Sequence, residues 1–516
     1  MAQRLRQLSP SPGGLAAGLL VLLILGTLTA VATHAGGLAA LGPWDWRAVW
    51  FTLWQAALSA TVSAALAVPV ARALARRRFG GRALLITLLG APFILPVIVA
   101  VMGLVSVFGR NGVVNDLLGA FGLAPLSIYG WQGVILAHVF FNLPLSVRMI
   151  LHGWQAIPTE RFRLAASLGF GPGDIARHLE RPMLREVLPG AWLAVFLVCL
   201  TSFAVALALG GGPGATTVEL AIYQAFRFDF DMGKAATLAL AQVGLCVAAL
   251  ALASLVSRPA GFGAGLDRDT PLPAPAGWRR DADAGAILLA AGFLLVPMLA
   301  VILQGAPGLA GLPGAVWAAA GRSVVMALIS AMAALALALA LAQVIAGGRA
   351  WAELAGMLPL VASPLVLGTG LYLLLRPLVS PTALALPVTV AINAVMALPF
   401  ALRILIPAAR SLQADYGRLA DSLGLRGLAR LRLLTLPRLA RPLGFAGGLS
   451  AALAMGDLGV ITLFADSRNP TLPLKLYQLM NSYRMGDAAA CAVLLMAISF
   501  ALFWLFDRGG RIHAAL

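Results

Sequence analysis

The chain has 516 residues, of which 60% are hydrophobic and 11% charged, with a formal net charge of +17. A soluble domain keeps its surface in water with roughly 25% charged residues, so a soluble globular protein is excluded. The excess of Arg could serve a nucleic acid, but the basic residues gather in loops between apolar runs, so no nucleic-acid partner is expected.

Arg4 and Arg6 precede the first apolar run, and Ala30-Val31-Ala32 has the look of a cleavage site. The run is long for a signal peptide, and as an anchor it gives the first half of the chain six spans. From there, apolar runs long enough to cross a bilayer as helix recur along the whole chain. They are 14–33, 48–71, 84–108, 131–151, 188–210, 235–256, 284–304, 322–346, 352–375, 382–402, 442–464 and 488–507. They are rich in Leu, Ala and Val without strict alternation, which predicts helices rather than a strand barrel. The expected fold class is an all-α polytopic membrane protein of about twelve transmembrane helices, embedded in the lipid bilayer. With both termini inside, about three-quarters of the 37 Lys and Arg fall on the inside, Arg76-Arg77-Arg78 among them. Cys199, Cys246 and Cys491 are dispersed within spans and imply packing rather than disulfides or a metal site.

The chain repeats itself. RLAASLG at 163–169 returns as RLADSLG at 418–424, an offset of 255 residues (163 to 418). Pro182 follows Gly169, and Pro437 follows Gly424, at the same distance. Pro144 matches Pro399, Arg148 matches Arg403, and Tyr223-Gln224 matches Tyr477-Gln478. The expected domains are a first repeat over 1–256, a linker over 257–283 rich in Pro, Gly and charge, and a second repeat over 284–516. Six crossings return the chain to its starting side, so the repeats are parallel. Pro92 and Gly103 match Pro359 and Gly370, after which the first half holds about a dozen extra residues in an outside loop.

The repeated signature lies in the longest inside loop of each half, 159–182 and 414–437. The first is expected to form a short helix capped by Thr159 and ended by Gly169 in a left-handed conformation. A second short stretch leads to Pro182, and the second half is expected to do the same. Ala165, Ala420, Gly169 and Gly424 leave room for another surface, and Arg163 and Arg418 supply a cation to each copy. Two such segments suggest two docking points for a two-fold partner.

The pattern resembles the EAA loop of ABC importer permeases, in which a Gly and a later Pro keep this spacing. Arg163 and Arg418 stand where the family has glutamate, and Leu164 and Leu419 replace its second alanine. Leu179 and Leu434 take the isoleucine position, and Arg181 departs from the leucine that Leu436 keeps. Two six-span permeases in one chain resemble the ferric iron and thiamine branch, and the stretches 202–236 and 456–489 resemble thiamine permeases. The similarity covers most of residues 50–507. It implies a bacterial inner-membrane, multi-pass permease with both termini cytoplasmic, importing thiamine and its phosphate esters. The partners implied are a homodimeric ATP-binding subunit, docked on both loops, and a periplasmic thiamine-binding protein. The alternatives are a ferric iron or polyamine permease and, further off, a secondary transporter.

Asp457 lies within the eleventh run, where a carboxylate costs ~2.5–3.5 kcal/mol unless it faces water or the bundle interior. It is a candidate to line the path of a cationic substrate, and its first-half equivalent is Ser202. Tyr223 and Tyr477 lie in segments expected to be short helices at the outer mouth. No catalytic residue is expected. The P-loop pattern is absent, Lys234 and Lys475 are the only lysines, and the five histidines lack ligand spacing. No cofactor or metal is therefore expected.

Overall fold

A computed structural model of the chain describes residues 12–37, 41–89, 94–256, 277–464 and 469–515. Most of the linker, 257–276, lies outside the described residues. Among the described residues there is no strand. The first half consists of α1 (Pro12–His34), α2 (Pro43–Arg76), α3 (Arg82–Leu88), α4 (Val97–Phe108), α5 (Val113–Ala120) and α6 (Trp131–Gln155), then α7 (Thr159–Ser167), α8 (Pro172–Ile175), α9 (Arg181–Leu200), α10 (Ala204–Leu209), α11 (Val218–Arg227) and α12 (Met232–Val256). The second half consists of α13 (Trp278–Gly305), α14 (Gly314–Ala346), α15 (Ala350–Met357), α16 (Pro364–Leu375) and α17 (Pro381–Ser422), then α18 (Gly427–Arg430), α19 (Leu436–Met455), α20 (Gly459–Phe464), α21 (Leu472–Asn481) and α22 (Met485–Ala515).

Among the described residues eleven helical segments are long and apolar enough to cross a membrane, or twelve if the bent pair Ala350–Leu360 and Pro364–Leu375 counts as one. The chain is an all-α polytopic membrane protein. Four of the expected spans are broken, and they form two matched pairs. The ninth bends by 91° before Pro364. The third is split into α3 and α4, which begins after Pro96 at its N-cap. A proline removes one backbone donor and forces the preceding residue out of the helical region. The fifth and eleventh break after Leu200 and Met455, so Ser202 and Asp457 both lie in the gaps. The seventh starts earlier than its apolar run, because Trp278 to Asp283 already belong to α13.

The two sequence halves do not pack as separate bundles. The first helix of each crosses to the other half: α1 lies against α14 and α16, and α13 lies against α2 and α4. The crossing points are the matched glycines noted in the sequence. A Cβ on Gly103 would stand 2.7 Å from the Pro297 carbonyl oxygen, and one on Gly370 would stand 2.5 Å from that of Thr27. In a bilayer apolar side chains gain little by leaving lipid, so close backbone approach at small residues carries helix association. A second matched contact fixes the short helices: Thr52 Oγ1 accepts from the Val218 N–H at 2.9 Å, and Ser323 Oγ from the Leu472 N–H at 2.8 Å. The extra residues of the first half form α5, where buried Asn115 pins the loop by donating to the Leu126 carbonyl and accepting from its N–H.

Candidate functional site: the repeated segments and the polar breaks

In the first repeated segment α7 runs Thr159–Ser167 and ends at Gly169, with φ at +69°. The Phe170 N–H donates to the Ala165 carbonyl at 2.9 Å, and the Gly169 N–H to that of Ala166 at 3.1 Å. This double bond pattern is the Schellman closure, which satisfies carbonyls left open at a helix end. The second segment repeats it: Leu425 N–H to Ala420, Gly424 N–H to Asp421, and Gly424 at φ +66°. Both are followed by a π-helical turn, Ala176–Glu180 and Leu431–Thr435, before the span that begins near Pro182 or Pro437. Single π turns inside α-helices cluster at functional sites.

Several expectations change here. Thr159 does not cap α7. Pro158 holds the N-cap position, with ψ at 137°, and Thr159 is the first helical residue. The second segment is not a separate short helix either. Helix α17 runs unbroken for 42 residues through 422, because Gln413 stands where the first half has Pro158. Ala165 and Ala420 are buried within the chain, at 3% and 2% exposure, so they pack the segments down rather than open them to a partner. Gly169 and Gly424 do leave open space, with no atom within 4 Å of an added Cβ. Arg163 and Arg418 are exposed, as are Pro182 and Pro437.

Sequence reasoning missed the apolar face of these segments. Leu164 and Leu168 are 60% and 62% exposed, and their equivalents Leu419 and Leu423 are 53% and 65% exposed. Residues four apart share one helix face. Each segment therefore presents the same two-leucine ridge beside an arginine. The signal was present in the repeat itself, since RL..SL is common to both copies.

At the breaks, Ser202 Oγ lies 2.8 Å from His138 Nε2, and Ser59 Oγ lies 3.4 Å from His138 Nδ1. In the second half Asp457 Oδ1 accepts from the Gly459 N–H at 3.1 Å and so caps α20. Its Oδ2 is buried without a hydrogen-bond partner, as is the Nδ2 of nearby Asn393. Asn393 stands at the offset of His138 (138 to 393), so one polar pair is repeated as His138–Ser202 and Asn393–Asp457. Aromatic rings surround these gaps. A Cβ on Gly459 would lie 3.6 Å from Asp457 Oδ1 and 3.7 Å from the Phe203 ring. Phe203 packs edge-on to Tyr223 at 5.4 Å. Phe226 of the first half meets Tyr372 of the second at 4.4 Å. Tyr223 and Tyr477 do lie on short helices, α11 and α21. Burial raises the Tyr223 phenol, and the neighbouring Tyr477 raises it further.

One buried acid escaped the sequence reading. Glu219 sits in the first turn of α11, fully buried, with both carboxylate oxygens unpartnered. Burial pushes its carboxyl up to about 8. In the sequence, Thr217-Val218-Glu219 reads as an ordinary capped first turn, which hides the burial. Among the described residues no group of His, Cys, Asp or Glu is arranged to hold a metal.

No family model matches the chain. The curated relatives that cover nearly the whole chain share one name. The thiamine transport system permease protein ThiP of Brucella abortus (strain 2308) is 40% identical over 521 residues, covering 97% of this chain and 95% of that protein. The protein of the same name from Salmonella typhimurium is 39% identical over 536 residues, covering 100% and 99%. That from Escherichia coli K12 is 39% identical over 488 residues, covering 90% and 91%. With such identity along nearly its whole length, the chain belongs to the family of thiamine transport system permease proteins.

Proposed function

We propose that the chain is the membrane permease of an ATP-driven importer that carries thiamine from periplasm to cytoplasm. The observation that carries the coupling is the repeated, identically closed segment with its exposed leucine ridge. Two equivalent ridges fit two copies of one ATP-binding subunit, and the thiamine would arrive on a periplasmic binding protein. ATP hydrolysis belongs to that separate subunit. Both termini are cytoplasmic, since this orientation puts most Lys and Arg on the cytoplasmic side. The repeats over 1–256 and 284–516 act as two rocking halves, with their first helices exchanged. Closing of the ATP-binding dimer draws Arg163, Gly169, Arg418 and Gly424 together with their leucines. The halves then shift between inward- and outward-open populations. Asp457, Ser202, Tyr223 and Tyr477 line the path, where a carboxylate and aromatic faces suit the thiazolium cation.

The test is uptake of labelled thiamine in a thiamine-requiring cell that lacks its own importer, supplied with this chain, its ATP-binding subunit and its binding protein. ATP-dependent uptake is expected. Its absence from a correctly assembled complex, with uptake of ferric iron or polyamine instead, would overturn the substrate. Uptake without the ATP-binding subunit would overturn the coupling.

A further inference from the structure

The two repeated segments show similar surfaces but are attached to the molecule differently. The second is the end of α17, so any displacement of it moves a continuous helix. The first is cut off from α6 at Ala156–Pro158. What holds it instead is Glu180, at the end of its π turn. Glu180 Oε1 accepts from Arg76 Nη2 at 2.6 Å, and Oε2 forms an ion pair with Arg72 Nη2 at 2.8 Å. The side chains of Glu180 and Arg76 are only 6% and 8% exposed. The next residue of α2's inner end, Arg77, pairs with Asp283 of α13 at 2.7 Å. One helix end thus joins the first segment to the opening helix of the second half.

Among the described residues the second half has no counterpart of this arrangement. Glu180 corresponds to Thr435 (180 to 435), whose hydroxyl donates within its own turn to the Arg430 carbonyl. Helices α2 and α14 align through Thr52 and Ser323, and on that register Arg72 and Arg76 fall on Gln343 and Gly347. The ion pair of the second segment, Arg430 with Asp421, closes that segment on itself. A buried acid between two arginines is costly to place and strongly destabilising to break on one side only. It forms in the one half where the helix is interrupted.

We propose that Glu180, clamped by Arg72 and Arg76, is the positioning residue that transmits movement of the first segment to the bundle, the task that helix continuity performs for the second. The inference rests on the reading of these segments as docking points for the ATP-binding subunit. It is tested on the whole complex in proteoliposomes, with the ATP-binding subunit and the loaded thiamine-binding protein. The readouts are thiamine carried per ATP hydrolysed and stimulation of ATP hydrolysis by the binding protein. In a Glu180→Gln complex that assembles, both fall about tenfold, within the range of a typical coupling between sites, while the KM for ATP is unchanged. Thr435→Val, at the matched position, leaves both readouts as in the parent. Exchange of the charges, Glu180→Arg with Arg76→Glu, recovers much of the loss. If Glu180→Gln fails to assemble, Arg72→Gln, which removes the more exposed partner, shows the same loss to a smaller degree. A parent complex without ATP-dependent uptake removes the docking reading itself. A coupled parent with an unchanged ratio in Glu180→Gln, or in Arg72→Gln where the former does not assemble, overturns the clamp.

Discussion

The first and second repeated segments differ in support far more than in surface. Arg163, Leu164 and Leu168 on one side face outward as Arg418, Leu419 and Leu423 do on the other. Both helices end in the same closure at a glycine with positive φ. Beneath them, one side has a proline break and a buried ion cluster, the other a continuous helix. On the docking proposed above, a two-fold partner would constrain only what it touches. The support was free to diverge, provided each segment stayed in place.

The largest expected effect tests whether the halves are joined by their exchanged helices. Gly103→Val and Gly370→Val each drive a side chain into a backbone carbonyl of the other half's first helix. Overpacking of this kind costs ~1–3 kcal/mol, and here the obstacle is backbone on both sides. Loss of assembled permease from the membrane is expected for both. Normal yield of either would mean that the crossing of α1 or α13 is not needed for the fold.

The next effect concerns the shared surface. Gly169→Val and Gly424→Val place a β-branched residue at φ near +70°, a conformation costing ~1–2 kcal/mol. Neither meets a neighbour in the chain. Gly169→Asn and Gly424→Asn tolerate that backbone but fill the open space. If the Asn variants assemble yet lose thiamine uptake, the space is used by a partner. If they transport normally, only the turn matters. Leu164→Asp and Leu419→Asp sharpen the comparison. Stability should be unchanged, since both side chains are exposed, while retention of the ATP-binding subunit on purification should fall for both.

A smaller and one-sided effect is expected at the breaks. Asp457→Asn removes the only carboxylate of the repeated polar pairs, and Ser202→Ala removes a hydroxyl bonded to His138. Uptake should fall several-fold for the first, as expected when one charged contact worth ~1.5–3 kcal/mol is weakened, and less for the second. Equal loss, or none at Asp457, would remove the carboxylate from the pathway.

The sequence carried the number of spans, the repeat, the offset and the closing glycines, because apolar run length and duplicated motifs are local signals. It did not carry the breaks of the fifth and eleventh spans. Their apolar composition is continuous through Ser202 and Asp457, and only the three-dimensional setting makes the helix open there. The exchange of α1 and α13 was likewise hidden, although Gly103 and Gly370 marked the contacts. Pro158 against Gln413 was readable, yet the strength of the repeat suppressed the difference. Glu180 needed the fold, since Arg72 and Arg76 lie over a hundred positions away.

The smallest expected effect separates the halves by pH. Glu219 lies on α11, a ten-residue helix too short to span, and the matched α21 has Pro473 near its place. Burial holds the carboxyl at about 8 against an ordinary 4.5. In the unfolded chain the group loses its proton near 4.5, whereas in the folded protein it keeps it until about 8. The stability this proton supplies is therefore present below 4.5 and is lost progressively as pH rises to about 8, after which the slope ends. Glu219→Gln keeps the shape without the titration. Thermal unfolding of the purified protein should show parent and variant within about 1 kcal/mol at pH 5. The variant should be the more stable at pH 8.5. Parallel curves across that range would mean that the folded protein relaxes to hydrate the carboxylate, and that the packing of α11 against α16 opens to water.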